Sequence, residues 1–228
     1  MTDSPDNPDM LLKTEHVTPV LAAAVADFLV KNGWALATAE SCTGGMIAAA
    51  CTDLAGSSSW FERGFVTYSN AAKTELLGVD AAWIEQHGAV SETVARAMAL
   101  GAIAHSKAQV SVAVTGVAGP GGGSDDKPVG TVWFGWSVAG LVTSERMLFE
   151  GDRAAVRAAT VRHALYRLVS LLAVPIDTKR EPGIVSKAGT ESAGTEPGNH
   201  IGAGGLEISP TGNLYEAGQH CQQAATGG

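Results

Sequence analysis

Residues Ala39-Glu40-Ser41-Cys42-Thr43-Gly44-Gly45 join two stretches of different character. Before them, Trp34 to Thr38 is an apolar run of strand length. After them, Met46 to Ala50 is a run of helix formers. The junction predicts a strand-to-helix turn with a hydroxyl at its tip. A helix start offers free backbone N–H groups and favours negative charge. A serine there has donors beside its oxygen for a developing oxyanion. The two glycines permit close approach of a substrate or of another backbone. The same residues also fit an ordinary helix capped by Ser or Thr. The turn alone leaves that choice open.

The rest of the chain frames this turn. Thr18 is read as an N-cap and Pro19 as the first helical residue. Val20, Leu21, Ala24, Val25, Phe28 and Leu29 recur at helical spacing up to Asn32-Gly33. After the turn a helix runs to about Thr52. Trp60 to Tyr68 reads as a strand, and Asn70 as the cap of a helix over 71–77. A short helix spans Asp80 to His87, and Ser91 caps a longer one to about Ser106. Val110 to Val114 is a β-branched strand. Thr115 to Pro128 is a glycine-dense loop, too irregular for a regular element. Residues 131–138 and 141–149 form a hairpin about Ala139-Gly140. Asp152 then caps a helix to about Leu172. Helices alternating with strands predict an α/β domain over residues 16–176, with helices on both faces of a mixed, mostly parallel sheet.

Residues 1–15 read as a disordered arm. Of residues 177–228, 11 are Gly and 3 are Pro, with no Trp or Phe. Such a segment buries too little apolar area to offset its ordering entropy, so it reads as a disordered tail.

Composition excludes some function classes. The net charge is -8, against a nucleic-acid surface, which needs a basic patch. A small anion needs only local donors. Cys42, Cys51 and Cys221 are odd in number and lack metal spacing, which points to a reduced, cytoplasmic setting. The polar N-terminus is no signal peptide, and no apolar run reaches bilayer length.

A nucleophilic Ser41 needs a base. His87, His105 and His163 read as packed or surface histidines. Tyr68-Ser69-Asn70-Ala71-Ala72-Lys73 is the stronger source. Lys73 falls in the first turn of a helix, where the dipole disfavours a cation and depresses its pKa. The residues also fit a solvated lysine. Thr115 to Gly123 follows a strand, and its backbone suits a phosphate or ribose. It lacks the Gly-Lys-Ser/Thr ending of a Walker loop. Arg153 opposes the dipole of the last helix, which suits an anionic partner. Arg157, Arg162 and Arg167 read as solvated face. Cys42 is a rival nucleophile, though a free cysteine more often fills a core.

Five ordered motifs then carry a resemblance: Thr38 to Gly45, Tyr68-Ser69-Asn70 with Lys73, Gly88 to Ser91, Thr115 to Pro120, and Gly151-Asp152-Arg153. Over residues 17–173 the chain resembles the C-terminal domain of the competence/damage-inducible CinA proteins, a nicotinamide-nucleotide amidohydrolase family. The resemblance implies a three-layer α/β/α sandwich. It implies hydrolysis of the carboxamide of nicotinamide mononucleotide, with no metal or cofactor. Ser41 would be the nucleophile, with Tyr68 and Lys73 handling its proton. Backbone amides near Cys42 to Gly45 would hold the oxyanion. Thr43, Gly44, Gly45, Asn70, Thr115, Gly116, Gly119 and Arg153 would contact substrate, with the 5′-phosphate on Arg153 and the glycine loop. The implied partners are the small nucleotide and further copies of the chain, with no nucleic acid and no membrane. A rival reading is a nucleotide-binding module acting in competence or DNA-damage response. Another is a different serine amidase or a β-lactamase-like hydrolase.

Overall fold

The computed structural model describes residues 17–174. The chain divides into two units, Met1–Ile184 and Val185–Gly228, and every described residue belongs to the first. The expected arm over 1–15 and tail over 177–228 lie outside the described residues.

Within them the order is α1 (Val17–Asn32), β1 (Leu36–Glu40), α2 (Met46–Thr52), a 3-10 turn (Ser57–Ser59), β2 (Phe61–Val66), α3 (Asn70–Leu77), α4 (Ala81–His87), α5 (Glu92–Ala104), β3 (Val110–Gly116), β4 (Thr131–Val138), β5 (Leu141–Leu148) and α6 (Arg153–Leu172). The five strands form one sheet in the order β2-β1-β3-β4-β5. Pairings β1–β2 and β1–β3 are parallel, and β3–β4 and β4–β5 antiparallel. Only β4 therefore runs against the others. The fold is α/β with a mixed sheet, as the alternation of elements predicts.

β1 and β3 sit in the middle because they are apolar on both sides. Every residue of Leu36–Glu40 is buried, and so are Val110 to Thr115. Successive strand residues divide between two cores. Leu36, Val112 and Val114 join Val25 and Leu29 of α1, Ile47 of α2, and Leu165 and Leu168 of α6. Ala37, Ala39 and Ala113 join Leu77 of α3 and Val94, Met98 and Ala102 of α5. That alternation is the period of two of a strand with cover on both sides. The first cluster is the larger and holds the stacked pair Phe134 and Trp136, ring centroids 5.4 Å apart.

Several boundaries move. Ser69, not Asn70, caps α3: its Oγ accepts from the Ala72 amide at 3.0 Å, and Asn70 is the first helical residue. Val17 is already helical, so Thr18 lies inside α1 rather than capping it. β2 stops at Val66, two residues short of Tyr68. Thr115 and Gly116 belong to β3, paired with Trp133 and Val132, instead of opening the loop. There the neighbouring strand supplies hydrogen bonds that local composition cannot reveal.

Candidate active site

Ser41 is the residue that follows β1. Its amide donates to Val114 O at 3.0 Å, which extends the β1–β3 pairing by one step. Thr67 likewise follows β2 and donates to Glu40 O at 2.8 Å. Two parallel strands thus end side by side, where open α/β sheets place ligands. Lys73 reaches this point from α3. Its Nζ lies 3.1 Å from Ser41 Oγ and donates to Thr67 O at 3.0 Å. The Lys73 side chain is 1% exposed. Burial, the largest influence, pulls its pKa below the ordinary 10.5, because a charged ammonium loses its hydration there. Among the described residues it makes no ion pair. A neutral amine has two N–H groups and one lone pair. One N–H serves Thr67 O, and the lone pair can accept the Ser41 proton.

Between Ser41 and α2 the chain reverses sharply. Gly44 and Gly45 take φ of 61° and 99°, a region that costs a side chain about 1–2 kcal/mol. The sequence expectation of free amides at the start of α2 needs correction here. Glu40 is wholly buried and its carboxylate takes three of them, those of Gly45, Ile47 and Ala48. Oε2 accepts from Thr43 Oγ1 at 2.6 Å, Gly45 N at 3.0 Å and Ile47 N at 3.0 Å. Oε1 accepts from Ala48 N at 2.8 Å. The Gly44 amide turns back to Ser41 O at 3.2 Å. Only the Cys42 and Thr43 amides of the turn lack a protein oxygen acceptor among the described residues.

On the other side of the turn, and not on a solvated face as its sequence position suggests, stands Arg157. Its Nε donates to Cys42 O at 3.1 Å and a terminal nitrogen donates to Thr43 O at 2.8 Å. Neither Glu40 nor Arg157 was singled out in the sequence. The available signals were a carboxylate ending a fully apolar strand, and an arginine one helical turn after Arg153.

Tyr68 does not join Ser41 and Lys73 by any hydrogen bond. Its ring is 60% exposed, and its hydroxyl accepts from Arg153 at 2.8 Å. Arg153 also donates to Gly119 O at 3.0 Å. Two of the five guanidinium N–H groups are thereby used, and three remain for an anion. The glycine loop is pinned at two further carbonyls: Lys127 donates to His87 O at 2.8 Å and Arg146 to Asp126 O at 2.9 Å. Thr115 Oγ1 donates to Ala89 O at 2.8 Å, so this buried hydroxyl ties β3 to the segment before α5. Gly116 packs on Val132. Thr43 is fully buried with its hydroxyl on Glu40, and Asn70 is exposed at the start of α3. Cys42 is 6% exposed, and burial pushes its thiol up to about 11, so it is no thiolate near neutrality. None of His87, His105 and His163 hydrogen-bonds Ser41 among the described residues.

Among the described residues no helix is long and apolar enough to cross a membrane. The CinA C-terminal domain profile matches residues 19–172. The chain is 57% identical over 138 residues to the nicotinamide-nucleotide amidohydrolase PncC of Enterobacter agglomerans, covering 60% of this chain and 84% of that one. It is 51% identical over 149 residues to PncC of Escherichia coli K12, covering 65% and 90%. Among solved structures, the competence damage-inducible protein A of Klebsiella pneumoniae superposes with a TM-score of 0.67 at 44% identity, covering 69% of this chain and 98% of that one. The motifs that bring Ser41, Lys73, Thr115 and Arg153 to this sheet edge all fall within the matched span, and the chain belongs to the CinA C-terminal domain family.

Proposed function

We propose that this protein is a nicotinamide-nucleotide amidase that works through a Ser41 acyl-enzyme. One observation carries the reading: a buried lysine amine lies 3.1 Å from a serine oxygen where two parallel strands end. The curated relatives named as nicotinamide-nucleotide amidohydrolases support the choice of substrate.

In the proposed sequence, the Lys73 amine takes the Ser41 proton as Oγ bonds to the carboxamide carbon. The carbonyl oxygen becomes an oxyanion beside the Cys42 and Thr43 amides. The new ammonium of Lys73 gives its proton to the nitrogen as the C–N bond breaks, and ammonia leaves. Water, losing a proton to Lys73, then attacks the ester carbon. The Lys73 ammonium returns that proton to Oγ as the C–Oγ bond breaks, and nicotinate mononucleotide departs. Arg153, braced by Tyr68 and Gly119 O, would hold the 5′-phosphate on its free N–H groups. Tyr68 serves in this scheme through Arg153, and a direct proton-transfer role would require its hydroxyl to turn inward. The homo-oligomer and the cytoplasmic location expected from the sequence belong to the same proposal. Light scattering of the purified chain tests the first.

Ammonia release from nicotinamide mononucleotide is the direct test. Ser41→Ala should lose at least about a thousandfold in kcat, on the scale of other nucleophile deletions. Lys73→Ala should lower kcat with KM little changed. Parent-rate ammonia release by Ser41→Ala would refute the nucleophile.

A further inference from the structure

The Ser41 turn is held from two sides by opposite charges. Inside, Glu40 gathers the Thr43 hydroxyl and the amides of Gly45, Ile47 and Ala48. Outside, Arg157 of α6 gathers the carbonyls of Cys42 and Thr43. A peptide plane is fixed once its carbonyl is fixed, because the amide beyond it lies in the same plane. Arg157 on Cys42 O therefore sets the orientation of the Thr43 amide. Arg157 on Thr43 O sets that of the Gly44 amide, which is turned back to Ser41 O. After both residues have taken their partners, the Cys42 and Thr43 amides are the ones in the turn without a protein oxygen acceptor among the described residues.

We infer that Glu40 and Arg157 are a positioning pair that aims the Cys42 and Thr43 amides as the oxyanion donors of Ser41. The inference rests on the acyl-enzyme reading above and deepens it. Neither side chain touches substrate in this scheme. Their work is to keep the Gly45, Ile47 and Ala48 amides from competing for the oxyanion and to hold two peptide planes still. A buried carboxylate is also a demanding tenant. Without its four donors it would be unsatisfied, so the turn and the carboxylate stabilise one conformation together.

Two measurements on the full chain test this. One is the rate at which an alkyl fluorophosphonate labels Ser41, followed by intact mass. That reaction also passes through an anionic centre on oxygen, yet it does not depend on the amide substrate. The other is kcat and KM for ammonia release from nicotinamide mononucleotide. Arg157→Ala should lower both the labelling rate and kcat by about tenfold to a hundredfold, the scale of a small misalignment. KM should stay within about twofold, since substrate contacts are intact. Arg157→Lys, which can reach one carbonyl, should recover part of the loss. Glu40→Gln should show the same split if it folds, with Arg157 variants deciding the matter if it does not. A labelling rate for Arg157→Ala within about twofold of the parent overturns the inference. A parent that does not label at Ser41 overturns it too. A parent that labels but releases no ammonia refutes the choice of substrate, while the loss of labelling in Arg157→Ala still upholds the pair.

Discussion

At the scale of single residues, the proposed chemistry depends on burial lowering the pKa of a lysine. A sequence argument points to Lys73 through the helix dipole, because it sits in the first turn of α3. In the folded chain the same residue matters for a different reason: burial is the largest influence on its pKa. The folded value is lowered, so the unfolded chain binds more protons in the window between the folded value and 10.5. Stability must then rise with pH through that window, and fall as pH drops through the folded value. Relative to Lys73→Met, the parent should gain stability as pH is raised toward 10.5, measured by urea unfolding at each pH. A constant difference would remove the case for a depressed amine. The kcat profile should show an acidic limb with its midpoint below 10.5. Ser41 and Lys73 are legible from residue types because a hydroxyl at a strand–helix turn and a cation at a helix start are local signals. Glu40 and Arg157 are not, because their partners become neighbours only after α2 and α6 pack on the sheet. The role expected of Tyr68 depended on where a long side chain points, which spacing does not fix.

Among the elements, α3 decides whether the proposed base Lys73 and the proposed nucleophile Ser41 meet. Its C-terminal end rests directly on α5. A Cβ on Gly101 would come 2.1 Å from Leu77 O, the backbone of the last residue of α3. Only the missing side chain lets the helices approach that closely, so Gly101→Ala must push α3 away. A clash with backbone has no flexible side chain to relieve it, and about 1–3 kcal/mol of stability should be lost. The same displacement should pull Lys73 away from Ser41 and lower kcat more than it raises KM. Denaturant unfolding and steady-state kinetics on the variant check both. Element existence and order are legible from periodicity and caps: Ser91 and Asp152 cap α5 and α6 as their positions suggest. The cap of α3 shifts by one residue because Ser69 and Asn70 are both good caps. Thr115 and Gly116 look like loop by composition, yet strand β4 claims them.

For the whole folded unit, two apolar clusters on opposite sides of one sheet bring distant stretches of chain to a single edge. Arg157 is 114 or more positions in sequence from its turn partners, Cys42 and Thr43, whose carbonyls it holds. The alternation that sends Leu36 to one cluster and Ala37 to the other is visible in the sequence only as an apolar run. Which helix covers which side follows from the packing. Lys73 stands at this edge without a carboxylate against it among the described residues. In the proposed scheme its reactivity would come from missing water rather than from a neighbouring charge, and dissolved ions have little there to screen. Arg153, by contrast, would meet its phosphate partly in solvent. Raising ionic strength should accordingly increase KM while leaving kcat nearly level. A titration with sodium chloride at fixed pH would separate the role proposed for dry Lys73 from that proposed for wet Arg153 in one experiment.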